Sequence, residues 1–316
     1  MGEKRFLAIC LTPTMQRTLR FGSVSKGEVN RASERRIDAS GKGVNVARVL
    51  CQLGHQADHF THLGGSEAES FLSMLSQDDV PIIRVESNSE MRTCYTVLDE
   101  GEGSTTELVE EAPPIGEGTE ERIRAKYLEI LPSYHTVILS GSKSAGYSRE
   151  IMPWMVKEAK KAGTRVLVDY RGQDLLDTLD YRPDVIKPNF TEFAGTFLTS
   201  AGSPFGPERA KGLNEQESSE ELESAARVKM RELAELGIAV VLTRGSRPTL
   251  YALPGGFEGA KKPVRIEPVN TVGCGDAFTA GLAAELYESG DYDAALEKAH
   301  VCASMNAGKL RPGVIR

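Results

Sequence analysis

Residues Asn270–Gly281, NTVGCGDAFTAG, combine an unusual set of groups in one short stretch. Gly273 and Gly275 flank Cys274, and Asp276 falls where a helix-forming run begins (Ala277, Phe278, Ala280, Leu282, Ala283, Ala284, Leu286). A Gly-x-Gly turn feeding a helix leaves backbone N–H groups without intrahelical partners beside the positive end of the dipole, which is an anion site. A carboxylate in the same turn is out of place if the site merely holds an anion, because like charges repel. It makes sense if it takes a proton from a hydroxyl that attacks phosphorus. The same residues also suit an aspartate capping a helix in a glycine-rich turn, so this stretch alone leaves both readings open.

Other polar and glycine-rich clusters shift the balance. They are Thr12, Gly41-Lys42-Gly43, Ser140-Gly141-Ser142, Asp169, Lys187-Pro188-Asn189 and Thr243-Arg244-Gly245. Each sits at the end of an expected strand or in a loop. In open parallel sheets ligands gather outside the carboxyl ends of strands, so clusters recurring there point to one site. Two common nucleotide motifs are absent: there is no GxxxxGK[ST], and no GxGxxG follows a strand. The histidines show no metal-binding spacing.

The elements that must carry these clusters alternate. Phe6–Leu11 reads as a buried first strand. Ser40–Gly54 is a glycine turn into a helix with apolar Val46, Val49, Leu50 and Leu53. Short strands are expected at Phe60–Leu63, Ile82–Val85, Thr93–Leu98 and Thr106–Val109. From Glu117 onward the pattern is regular βα: helices at Glu120–Ile130, Arg149–Ala162, Glu220–Leu236 and Ala294–Ala307, with strands at Thr136–Ser140, Arg165–Asp169, Val185–Lys187 and Ala239–Thr243. Two further strands are expected at Thr249–Ala252 and Val264–Pro268, and an exposed loop at Ser200–Ser219. Strands alternating with amphipathic helices predict a mostly parallel sheet covered on both faces.

Composition bounds the rest. The 316 residues are 40% apolar, enough for a large core, and no stretch approaches membrane-spanning length. A formal charge of −7 without a long basic run argues against a nucleic-acid surface. The five scattered cysteines form no CxxC pair, which argues against a disulfide framework or structural zinc and fits a reduced, cytoplasmic setting. The apolar run near the start is too short for a signal peptide.

Gly41-Lys-Gly-Val-Asn-Val-Ala-Arg48 and Asn270-Thr-Val-Gly-Cys-Gly-Asp-Ala-Phe278 resemble the paired signatures of the phosphofructokinase-B (ribokinase-like) sugar kinases. Lys187-Pro188-Asn189 with Glu192 is similar to that family's Asn-x-x-Glu element, and Ser140-Gly141-Ser142 and Arg311-Pro312-Gly313 also fit. The resemblance runs in order from Leu11 to Gly313. Thr12-Pro-Thr-x-x-Arg-Thr18 and KGVNVARVL look most like the branch that phosphorylates sugar phosphates, the 1-phosphofructokinases and tagatose-6-phosphate kinases.

The resemblance implies a three-layer α/β ribokinase-like fold, a single domain over residues 1–316 with a small β lid from about 14–39 and 82–113. Such lids pair in a homodimer. It implies Asp276 as the catalytic base, with the N–H groups of Gly273, Cys274, Gly275 and Asp276 holding transition-state charge. Lys187, Thr243 and Gly245 would lie along the phosphates of ATP, with Asn306 near the base of the nucleotide. Asn189 and Glu192 would organise Mg²⁺ through water. Gly41, Asn45, Gln16 and Ser140 would face the sugar, and Lys42 and Arg92 would receive the phosphate already on it. The implied reaction is ATP-dependent phosphorylation of a ketose phosphate, most like fructose 1-phosphate to the 1,6-bisphosphate. Tagatose 6-phosphate or another acceptor is the alternative, and a non-catalytic sugar- or nucleotide-binding protein is the rival of another class.

Departures cluster on the acceptor side. Gln16 stands where the branch usually has an aspartate, Ser40 where it has a glycine, and Cys274 where it has an alanine. Tyr170-Arg171 replaces a small pair after Asp169, and Lys143 interrupts the usual Ser-Gly-Ser-Leu-Pro. Lys143 and Arg171 add positive charge, which favours an anionic acceptor.

Overall fold

A computed structural model describes residues 5–199 and 220–316; the loop expected at Ser200–Ser219 lies outside the described residues. The chain has a mixed α/β fold with a large, mostly parallel sheet, helices, and a smaller separate sheet. It divides into two compact units: residues 1–133, 141–147 and 266–316 form one, and residues 134–140 and 148–265 the other.

In the first unit, β1 (Arg5–Leu11) pairs in parallel with β4 (Ala57–Leu63), and β4 with β5 (Ile82–Glu86). From Phe6 to Leu11 every residue of β1 is buried, as expected of a strand covered on both faces. The smaller sheet has the order β3 (Glu34–Ser40), β2 (Thr14–Phe21), β6 (Arg92–Asp99), β7 (Ser104–Val109). The sequence reading gave Ile82–Val85 to this sheet. Instead these residues form β5 alongside β4, because their register partners are His59–Leu63.

The helices of this unit follow their apolar spacing. Helix α1 (Lys42–Gln52) buries Val46, Val49 and Leu50, and also Asn45 and Arg48. Helix α2 spans Ala68–Gln77 and α3 spans Thr119–Ile130. The last two helices of the chain, Cys274–Glu288 and Tyr292–Ala307, pack on each other, and the first of them also packs on α1. Cys274–Glu288 buries an unbroken run from Asp276 to Ala284 and is apolar nearly all round. That is the signature of a helix in the core rather than on the surface.

In the second unit, β8 (Tyr134–Lys143, whose residues 134–140 belong to this unit), β9 (Arg165–Asp169), β10 (Val185–Ile186) and β11 (Ala239–Arg244) run in parallel, with Ser140 opposite Asp169. Antiparallel β12 (Arg247–Leu253) and β13 (Phe257–Lys261) complete its sheet. The strand expected at Val264–Pro268 does not form. Pro263 and Pro268 each lack a donor for a ladder, and the tight turn after Leu253 lets the weakly apolar Phe257–Lys261 pair instead. The helices here are α4 (Ile151–Lys161), α5 (Gln173–Thr178), α6 (Phe190–Phe197) and α7 (Glu220–Glu235), which makes the two C-terminal helices of the first unit α8 and α9.

Candidate active site

The Gly273–Asp276 turn is built in the first unit. Gly273 caps α8 at φ 82°, a left-handed conformation that favours glycine, and a Cβ there would lie 2.9 Å from Pro312. The Cys274 N–H donates to Thr271 O at 3.2 Å, and the Ala277 N–H closes the first helical turn on Gly273 O at 2.9 Å. The Cys274 amide is therefore engaged within the turn, which narrows the expected hole on that side. Asn270 braces the turn from behind: its Oδ1 accepts from the Val272 N–H at 3.0 Å, and its Nδ2 donates to Leu310 O at 2.8 Å.

The Asp276 carboxylate is 6% exposed, and Asn45 Nδ2 donates to its Oδ2 at 2.8 Å. The two stretches singled out from the sequence thus meet through one hydrogen bond across 231 positions of chain. Behind Asn45 lies a group that motif reading passed over. Arg48, one turn further along α1, donates to Asn45 Oδ1 at 3.1 Å, Pro312 O at 3.2 Å, Ala39 O at 2.8 Å and Asp78 Oδ2 at 3.0 Å. Arg311 binds the same Asp78 carboxylate and reaches Asp38 at 2.8 Å. Burial, with the charge of Arg311, pushes the Arg48 guanidinium down to about 10, still cationic at neutral pH. Burial pushes the Asp78 carboxyl upward, but bonds from Arg311 and the charge of Arg48 outweigh it and hold the group below its usual range. The signal in the sequence was a charged residue among the apolar positions of α1.

Asn306 does not fit the nucleotide role expected of it. It is 0% exposed; its Nδ2 donates to Val272 O at 3.0 Å and to Cys274 Sγ at 3.4 Å, while its Oδ1 accepts from the Gly313 N–H at 2.7 Å. An amide engaged at both ends inside the protein fastens the turn to the C-terminal segment and has little left for a ligand. The Cys274 thiol is pushed up to about 11, chiefly by burial, so it stays protonated at neutral pH and is a poor nucleophile. Cys274→Ala is therefore expected to keep kcat within about 2-fold of the parent. Steady-state kinetics with quantitative alkylation at pH 7.5 would check this; rapid labelling of Cys274 would contradict it.

The acceptor-side residues are distributed as follows. Gly41 caps α1 at φ 109°, and a Cβ there would come within 3.3 Å of Thr12 O. Lys42 begins α1 and lies against Gly141, whose own Cβ would sit 3.7 Å from the lysine stem. Arg92 donates from Nε to Thr14 Oγ1 at 2.9 Å. The charges of Lys42 and Arg92 both reach the Glu107 carboxyl and favour its ionised form, so the two cations share one neighbourhood. Gln16 is 4% exposed, and its amide donates to Thr96 Oγ1 at 2.8 Å and to Cys94 O at 3.3 Å. Its donors are thus engaged within the small sheet.

In the second unit a separate cluster lines the ends of parallel strands. Ser140 ends buried with no partner for its Oγ. Lys187 Nζ and Asp169 Oδ2 form an ion pair at 3.1 Å with side chains 5% and 2% exposed. Asn189 bridges to Thr243 and caps α6: its Oδ1 accepts from the Glu192 N–H at 2.8 Å, and Glu192 Oε2 accepts from the Asn189 N–H at 2.9 Å. Asn-x-x-Glu is therefore a reciprocal capping box, whatever else it does. Gly245 follows Thr243 at φ 57°. Tyr170 is buried with its hydroxyl 2.7 Å from Thr178 Oγ1, a packing role, while Arg171 is exposed.

No group of three or more metal-binding side chains occurs among the described residues. Among them, too, no helix is long and apolar enough to cross a membrane.

The fold is similar to that of phosphofructokinase-2 from Escherichia coli in its tetrameric inhibited form: TM-score 0.80, 20% identity, 96% of this chain and 94% of that one covered. The same enzyme in complex with fructose-6-phosphate gives 0.79 at 21% identity, covering 97% of this chain and 94% of that one. A protein described as a possible 1-phosphofructokinase from Thermotoga maritima gives 0.79 at 19% identity, covering 98% and 94%. At such identities the likeness speaks for the fold alone. The family description "pfkB family carbohydrate kinase" matches residues 9–314, both signature stretches included, and the chain belongs to that family, phosphotransferases that act on a sugar hydroxyl.

Proposed function

We propose that this kinase transfers the γ-phosphoryl group of Mg-ATP to a ketose phosphate, with fructose 1-phosphate the first acceptor to test and the 1,6-bisphosphate its product. The observation that carries the reading is the buried Asp276 carboxylate at the start of α8, tied at 2.8 Å to Asn45 of the Gly41–Arg48 stretch. A buried carboxylate at the start of α8 can take the proton of an attacking hydroxyl while backbone amides of the glycine-rich turn stabilise charge on the transferring group. The neighbourhood shared by Lys42 and Arg92 supports an acceptor that already carries a phosphate.

The cluster in the second unit suits the nucleotide. Lys187, Thr243 and Gly245 follow the phosphates in this reading. Glu192 keeps Oε1 beyond its capping bond, and Asn189 offers an amide, so the donor set fits a cation bound through water and nucleotide phosphates rather than a protein cage. Mg²⁺, when bound, supplies charge neutralisation across the phosphate oxygens. The small sheet acts as a lid over the acceptor, and exposed Leu108 and Val109 on its edge strand β7 support pairing of two chains there.

The test is coupled ADP release with Mg-ATP and a panel of fructose 1-phosphate, tagatose 6-phosphate, fructose 6-phosphate, fructose, ribose and a nucleoside. Turnover with a phosphorylated ketose and not with its neutral sugar is the expected result. Saturation by a neutral sugar alone would overturn the acceptor class.

A further inference from the structure

Resting on the reading of Asp276 as the base, we infer that Arg48 is a positioning residue which sets the geometry of that base through the side-chain amide of Asn45. The argument starts from the donor count of a guanidinium, which has five N–H groups in a planar fork. In Arg48 they meet Asp78 twice (Nε at 3.0 Å, Nη2 at 2.9 Å), Ala39 O, Pro312 O and Asn45 Oδ1. Four hydrogen bonds to four acceptor atoms, with a further ion-pair contact from Nη2 to Asp78 Oδ2, fix the orientation of the fork, and the residue is only 3% exposed.

The consequence falls on Asn45. A guanidinium only donates, so the end of the Asn45 amide that faces it must be oxygen, and the end that faces Asp276 must be NH₂. The amide cannot flip without setting donor against donor on one side and acceptor against carboxylate on the other. Arg48 thereby makes Asn45 a one-way donor to Asp276 Oδ2 at 2.8 Å. Asp78 and Arg311 close the frame behind it: Asp78 accepts from both arginines, and Arg311 continues to Asp38 on β3. The carboxylate is held from one side by an ordered chain of bonds that ends on a strand, a helix and the C-terminal segment.

Two arms test this. In the first, Arg48→Lys, Asn45→Ala and the double variant are compared by coupled ADP release with Mg-ATP and fructose 1-phosphate. Arg48→Lys keeps a cation beside Asp78 but cannot reproduce the fork. It is expected to lower kcat by about 10- to 100-fold, the scale of a small displacement of a reacting group, with KM for Mg-ATP within about 2-fold. In the Asn45→Ala background the same change should cost less than about 2-fold more, because the chain is already cut. Independent, multiplying losses, or a loss confined to KM, would overturn the proposal. The second arm is a crystal structure of Arg48→Lys, with Asn45→Ser, which leaves the ion pairs intact, as the variant if the first does not fold. The Asp276 side chain is expected to leave its parental rotamer; an unmoved carboxylate would overturn the proposal. Should the parent protein show no turnover with fructose 1-phosphate, the acceptor assignment fails, and the crystallographic arm still decides the role of Arg48.

Discussion

Asp276→Asn is expected to lower turnover by about 10²- to 10⁴-fold, the range that a positioned general base contributes, while ATP affinity changes by less than about 3-fold. The substitution keeps size and shape. Its amide oxygen can still accept from Asn45 Nδ2, so the 2.8 Å bond that anchors the side chain has a counterpart. What is lost is the ability to take a proton. Coupled ADP release and calorimetric titration with ATP, run on the same preparation, separate the two effects. Parental rates would move the base elsewhere, and loss of ATP binding would make the residue a nucleotide ligand.

Lys187→Met carries the other large effect. It removes one partner of an ion pair whose side chains are 5% and 2% exposed, so the buried Asp169 carboxylate loses its lysine. Breaking such a pair costs about 3–5 kcal/mol, so the midpoint of urea unfolding should fall markedly. ATP affinity should fall as well if Lys187 follows the nucleotide phosphates. The two causes separate in the double variant Lys187→Met with Asp169→Leu. Replacing both charges by apolar groups of similar size restores stability in comparable cases. Recovered stability with ATP binding still lost is the expected outcome; recovery of both would reduce Lys187 to a structural cation.

The parallel strands and their helices were legible because burial on both faces leaves continuous apolar runs, as in Phe6–Leu11 and Ala239–Leu242, and helix faces repeat at 3.6 residues. The hairpin strand Phe257–Lys261 was not, since its residues are exposed or half-buried and its partner, not its pattern, makes it a strand. At the site, motif spacing singled out the Gly273–Asp276 turn and the resemblance singled out Asn45, and the structure brings Asn45 and Asp276 into contact. The frame behind them stayed hidden even though Arg48 and Arg311 lie within quoted motifs, because Arg48, Asp78, Asp38 and Arg311 come from separate parts of the chain, and only the fold brings 233 positions of separation between Arg311 and Asp78 down to a contact. Motifs also overstate function. Asn306 belongs to the pattern, yet its amide fastens a turn. Asn189 and Glu192 belong to it too, and their first observable task is to begin a helix.

The burial of α8 has a consequence in time. Its residues from Asp276 to Ala284 are sealed on every side, and its start is fastened to the C-terminal segment through Asn306 and Asn270. Segments with many buried apolar contacts open only with the unit as a whole, whereas exposed strands fray on their own. Asp276 is therefore carried by a part of the molecule that opens rarely, and strand β7, exposed throughout, belongs to a part that opens often. On the proposed reading of the small sheet as a lid, fluctuations that admit and release an acceptor run fast there while the carboxylate waits in place.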